Sequence, residues 1–182
     1  MTQLLDRPIA TGATLYPQAG RDRVERQDAE DFYLQPGPSV PKRQIFIQLG
    51  TAQGNLRWLA DHVQTEVNTI LALGEGWDGH RAKPITDGAA GSTIGLVFAL
   101  CDDLSLPPQF FPLPDGGIQI EWHVGGDAVE VEIDASGDAH ALVTDGAGAV
   151  IVDSPLEPAD FETLPPVQAI VRRLSIRAAS GR

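Results

Sequence analysis

The sequence predicts an α+β domain, with two helices and a C-terminal helix packed on one face of an antiparallel β-meander of four to five strands. Three observations carry this. From Pro114 to Ile133, apolar and polar residues alternate on both sides of Gly125-Gly126, the pattern of a hairpin with one buried face. From Leu56 to Cys101 the apolar spacing changes to that of two helices. After Ile133, short β-like runs follow one another across turn residues, and strands joined without intervening helices pair antiparallel.

Residues 1–43 are polar and interrupted, with a mixed-charge run from Arg21 to Asp31 and then Pro36, Pro38 and Pro41. Such a stretch buries too little apolar surface to offset its own ordering entropy. It is expected to be an extension, flexible or ordered only against the core or a partner, with 44–182 forming the single α+β domain. Its apolar knot, Phe32-Tyr33-Leu34, reads as a surface anchor or a docking peptide.

Gln44 to Leu49 is a short β-like run. A helix is predicted from about Ala52, with Leu56, Leu59, Val63, Val67, Ile70 and Leu71 as its stripe and Gly74 and Gly76 ending it. Gly76-Trp77-Asp78-Gly79 forms a loop, and Pro84 turns Lys83 away from helix. Thr86 then caps a second helix whose Ala90, Ile94, Val97, Phe98 and Cys101 share a face. Gly88, Gly91 and Gly95 each weaken it by up to about 1 kcal/mol relative to Ala, and are read as places where another element comes close.

Leu106 to Pro114 reads as a proline-rich link into the hairpin. A two-residue turn at Gly125-Gly126 sets Trp122 opposite Val129, Ile120 opposite Val131 and Ile118 opposite Ile133, all on one face. Asp134 to Asp138 is turn chemistry, His140 to Thr144 a third strand that in one register points His140 inward opposite Ile133, and Gly148 to Val152 a fourth. Ser154 to Pro158 is expected to open a helical tail. Pro166 starts a turn with Val167, Ile170, Val171 and Leu174 as its stripe, and Arg177 to Arg182 is expected to fray.

The net charge is -12, from 25 acidic and 13 basic side chains, which argues against sequence-specific nucleic-acid binding because such proteins carry a basic footprint. It suits a protein that meets a basic partner or imitates nucleic acid. With Cys101 alone no internal disulfide forms. The first residues lack a charged-then-apolar signal and no apolar run approaches a membrane span, so the protein is expected in the cytoplasm, away from membranes.

The outer face of the hairpin carries Gln119, Glu121 and His123 on one arm and Glu130, Glu132 and Asp134 on the other, with Glu121 and Glu130 opposed as like charges. That face reads as a plain solvated surface, as a docking face for a basic partner, or as a weak cation site using His123 and Glu121. A metal site needs three or four convergent ligands, which one hairpin does not offer. In the loop, Trp77 covers an end of the core, Asp78 accepts backbone N–H groups and Gly79 supplies a conformation other residues avoid; with His80, Arg81 and Lys83 the same loop reads as a binding patch. Common phosphate, zinc and acyl-transfer signatures are absent, so no catalytic residue, metal ligand or cofactor is predicted. Cys101 reads as core, and His62 and His140 as hydrogen-bonded structural histidines.

Gly76-Trp77-Asp78-Gly79, then Lys83-Pro84 and a helix, then Pro114-Asp115-Gly116-Gly117-Ile118-Gln119-Ile120-Glu121-Trp122, then an acidic strand ending in Asp134 and Gly137, resembles a widespread family of small uncharacterised bacterial proteins. The resemblance spans roughly Leu56 to Val143 and departs at His80, where the family more often has Tyr. It implies a small acidic cytoplasmic protein, with some members in toxin-antitoxin-like or defence-type modules, and it offers no catalytic residues to carry over. The function expected is a non-enzymatic protein-interaction module that binds, neutralises or scaffolds a partner, antitoxin- or immunity-like or a defence-complex subunit. The alternatives are a small carboxylate- or metal-dependent enzyme, or an acidic nucleic-acid mimic.

Overall fold

The computed structural model describes residues 13–16, 43–48, 56–156 and 164–181, the first of these by their backbone. The mixed-charge run, Phe32-Tyr33-Leu34 and the expected helix start at Ala52 lie outside the described residues.

In chain order the elements are β1 (Ala13–Tyr16), β2 (Gln44–Ile47), α1 (Arg57–Leu71), α2 (Asp87–Leu100), β3 (Gln109–Pro112), β4 (Ile118–Val124), β5 (Asp127–Ile133), β6 (Ala139–Thr144), β7 (Val150–Pro155) and α3 (Leu164–Ala179). β3 to β7 form a five-stranded antiparallel meander in sequence order, and β1 pairs with β2 in a separate two-stranded sheet. All three helices lie against one face of the meander: α1 beside β3, and α2 and α3 across β4 and β5. This is the α+β architecture that the sequence predicts. Among the described residues, no helix is long and apolar enough to cross a membrane.

The hairpin has the expected register, with Trp122 opposite Val129, Ile120 opposite Val131 and Ile118 opposite Ile133. Gly125 and Gly126 turn it at φ 61° and 92°, a conformation that costs residues with a Cβ. The inward row, with Val131, Ile133, Ala141 and Val143, meets Leu59, Val63 and Val67 of α1, Leu96, Val97 and Leu100 of α2, and Val167, Val171 and Leu174 of α3 in one core. Each such fully buried aliphatic side chain contributes about 1.5–3 kcal/mol.

Several expectations change. The supposed link from Leu106 to Pro114 contains β3, the fifth strand of the meander, with Phe110 buried opposite Ile120. Four residues give too little alternation to read, and Pro112 is acceptable because β3 is an edge strand, with no neighbour on one side among the described residues. The Gln44–Leu49 run forms β2, apart from the meander. β7 runs to Pro155, so Ser154 and Pro155 end a strand rather than open a helix; β7 is the other edge, and its register with β6 shifts at Val143/Thr144. α1 ends at Leu71 with Ala72 as its C-cap, ahead of both glycines.

His140 lies opposite Glu132, not Ile133, because β6 starts at Ala139 and a one-residue shift turns every side chain to the other face. Arg177 to Arg182 is not a frayed tail throughout: α3 continues to Ala179, and Arg177 pairs with Asp127 beside the hairpin turn. Pro165 and Pro166 fall in the first turn of α3, where their missing N–H groups have no helical acceptor to lose. α2 has Leu96 and Leu100 buried besides the expected stripe, since α1, α3 and the sheet surround it. Among the described residues, Gly88 alone of its glycines meets another element: a Cβ there would lie 3.0 Å from the Ser136 carbonyl oxygen, whereas one at Gly91 or Gly95 would meet no described atom within 4 Å.

Candidate interaction surface

Because strands alternate, the meander face away from the helices is defined by the residues between the buried ones. The register arranges it in three cross-strand rows: Phe111, Gln119, Glu132, His140, Pro155; then Gln109, Glu121, Glu130, Leu142, Asp153; then His123, Ala128, Thr144, Val150. No described element covers this face. The rows hold four carboxylates, Glu121, Glu130, Glu132 and Asp153, and neither Lys nor Arg.

The carboxylates differ in their partners. Glu121 accepts from Gln119 Nε2 at 2.7 Å and pairs with His123 Nε2 at 2.7 Å. Asp153 lies 3.3 Å from His140 Nε2. Glu130 and Glu132 enter no hydrogen bond or ion pair with any described residue, although Glu130 is half-buried between Glu121 and Leu142. Gln119, Glu130, Glu132, His140, Leu142 and Asp153 line a shallow depression open to solvent. The sequence reading missed Asp153, which falls beyond the expected strand end, and missed the outward aim of His140.

Opposed like charges of this kind cost a few tenths to about 1 kcal/mol. Glu130→Gln removes the repulsion without removing a bond. It is expected to leave the melting temperature unchanged or raise it by a few degrees, with the gain shrinking as salt is added; a lower melting temperature at low salt would show that Glu130 has a stabilising partner.

The other predicted residues sit at one end of the molecule, in a network of loops. Asp78 Oδ1 accepts from the backbone N–H of His80 at 2.8 Å and of Ala82 at 3.2 Å, while Gly79 turns the chain at φ 80°. The His80 bond is the main cause that holds the Asp78 carboxyl below the ordinary carboxylate range. Trp77 is half-buried, and its Nε1 donates to the Lys83 carbonyl at 3.3 Å. Lys83 N then donates to Pro114 O at 2.9 Å, and Thr86 N to Gly116 O at 3.0 Å, which ties this loop to the β3–β4 turn. Thr86 Oγ1 caps α2 by accepting from Ala89 N at 3.1 Å and donates to Ala135 O at 2.7 Å, which ties in the β5–β6 turn. His80, Arg81 and Lys83 are exposed beside this network. The structure therefore separates the two groups: Glu121, His123, Glu130 and Glu132 share the open sheet face, and Trp77, Asp78, His80 and Arg81 belong to the loop end.

Asp134 organises the β5–β6 turn. Its Oδ1 accepts from Ser136 Oγ at 2.6 Å and from the backbone N–H groups of Ser136, Gly137 and Asp138 at 2.8, 3.0 and 3.1 Å. These bonds, that of Ser136 Oγ foremost, hold its carboxyl below the ordinary range. A depressed folded pKa contributes stability that is present above the unfolded value and lost as pH falls through the folded one. Asp134→Asn should accordingly melt lower than the wild type at neutral pH, with the two curves converging below about pH 4. A constant gap across acid titration would contradict this.

Burial, and then the neighbouring Asp102 charge, push the Cys101 thiol up to about 12, which suits a core side chain and opposes nucleophilic chemistry. His62 Nε2 lies 2.9 Å from the Pro108 carbonyl oxygen and its ring packs against Phe110, so it is a structural side chain. Among the described residues, no three His, Cys, Asp or Glu side chains converge as metal ligands. No protein-family model, curated protein or solved structure matches the chain.

Proposed function

We propose that the protein is a non-enzymatic interaction module that binds a basic protein partner through the uncovered face of its meander. The observation that carries this reading is the face itself: four carboxylates in adjacent rows, two of them without a partner among the described residues, and no Lys or Arg between them. Carboxylates left unpaired in this way supply the complementary potential that steers and orients a cationic surface. Phe111, 42 % exposed, and Leu142 add apolar contact among the charges. A partner neutralised or scaffolded in this way is the setting of an antitoxin, an immunity protein or a defence-complex subunit, in keeping with the resemblance carried by the loop and hairpin motifs.

The test uses two variants with equal charge change. One carries Glu121→Gln, Glu130→Gln, Glu132→Gln and Asp153→Asn on the face; the other carries Asp61→Asn, Glu66→Gln, Glu75→Gln and Asp103→Asn elsewhere. The basic protein that co-purifies with the tagged wild type at low salt is expected to be lost from the first variant and kept by the second. Equal retention or equal loss would refute the face as the docking surface.

A further inference from the structure

β2 is held on one edge by a helix and on the other by a distant segment of the chain. Asn68 of α1 accepts from Ile45 N at 2.7 Å and donates back to Ile45 O at 3.0 Å, and Gln64 accepts from Ile47 N at 2.9 Å. Two side-chain amides thus do for this edge what a neighbouring strand would do. Ile45 is 1 % exposed and belongs to the core, so β2 is fixed to α1 by packing as well as by hydrogen bonds.

Along a strand, successive residues point their backbone N–H and C=O groups to opposite edges. With Ile45 and Ile47 turned to α1, the groups of Gln44 and Phe46 face outward, where β1 lies antiparallel with Thr14 opposite Phe46 and Tyr16 opposite Gln44. Among the described residues, β1 packs chiefly on β2 and no third strand joins the pair. Four paired residues alone are a marginal attachment, whereas β2 keeps its anchors on α1 whether or not β1 is in place.

We propose that Gln44–Ile47 is a strand-acceptor edge, occupied by Ala13–Tyr16 of the same chain, and that an extended, uncharged, proline-free protein segment can take that place. The seated segment shows the chemistry the edge accepts. It reads Ala-Thr-Leu-Tyr, without charge, and is held by backbone bonds that any extended segment can supply. Phe46, 41 % exposed, offers an aromatic surface for the occupant's side chains to cover. A tethered strand has an effective concentration on the order of millimolar, so a free segment of similar quality competes only when β1 is displaced. The acceptor edge is separate from the acidic face and stands or falls independently of it.

The probe is a fluorescein-labelled synthetic peptide of residues 9–16, which is uncharged and proline-free, followed by anisotropy on the full chain. Thr14→Pro with Tyr16→Pro removes the two N–H groups by which β1 bonds to β2. The doubly substituted chain is expected to melt cooperatively and to bind the peptide at least about tenfold more tightly than the wild type, whose own β1 competes. Adding Phe46→Pro, which removes a donor of the acceptor edge, is expected to abolish the binding. Equal binding by wild type and double variant, no binding by the double variant, or binding that survives Phe46→Pro would each overturn the proposal. Loss of cooperative melting in the double variant would overturn it too, because β1 would then be part of the core fold.

Discussion

Trp122→Ala is expected to abolish cooperative folding, or to lower the melting temperature further than any other single substitution in the sheet. The side chain is 2 % exposed, stands opposite Val129 at the meeting of sheet and helices, and donates from Nε1 to the Leu106 carbonyl at 3.0 Å. Truncating a buried Trp costs about 3–5 kcal/mol, out of the roughly 5–15 kcal/mol by which a domain of this size is stable. The bond to Leu106 adds to the loss, since it ties the segment entering β3 to the core and its removal would leave a part-buried acceptor without that donor. Trp122→Phe keeps much of the ring and loses the bond, so it should fall between Ala and wild type in a urea titration. If Trp122→Ala melts with the wild type, the indole is not part of the core.

The second large effect is expected at Gly117, the last residue before β4. A Cβ there would lie 2.3 Å from the Ile133 carbonyl oxygen and 3.1 Å from both the Asp115 carboxylate and the Asp134 Cα. Backbone stands in the way, not the end of a mobile side chain, so Gly117→Ala must part β4 from β5 at the Ile118–Ile133 pair. Overpacking of this kind costs about 1–3 kcal/mol and sometimes more. Gly91→Ala is the matched opposite: it adds a methyl to a helix interior with nothing within 4 Å, and should stabilise by about 0.4–1 kcal/mol. Two Gly→Ala changes with opposite signs in the same denaturation assay test the packing directly, and equal effects would refute it.

The hairpin was legible because two constraints coincide in it. The alternation marks which side chains are buried, and the Gly-Gly turn fixes which residues face each other. Where only one constraint exists, the reading slips. β6 has alternation but begins one residue earlier than its apolar run suggests, and His140 therefore changes faces. β3 has too few residues for a period, and Pro112 with the flanking Pro107, Pro108 and Pro114 reads as linker because nothing local shows that the strand is an edge. α2 is buried on more than one side, so the stripe through Ala90, Ile94, Val97 and Cys101 marks only part of its buried surface, and Leu96 and Leu100 went unread. For the candidate surface, Glu121, His123, Glu130 and Glu132 were readable as one outer face from the same alternation. Asp153 was not, because its place depends on a long-range strand boundary and on the register shift in β7.

The two edges of the meander have a consequence for how copies of the chain behave together. β3 ends in Pro112 and follows Pro107 and Pro108, while β7 ends in Pro155 and its ladder is irregular near Thr144. An exposed edge is a template for fibre growth only when it presents a straight, regular row of donors and acceptors. Neither edge does so, even though Val150 and Ile151 leave β7 with exposed apolar side chains. Concentrated solutions of the folded protein should therefore resist strand-by-strand polymerisation into amyloid.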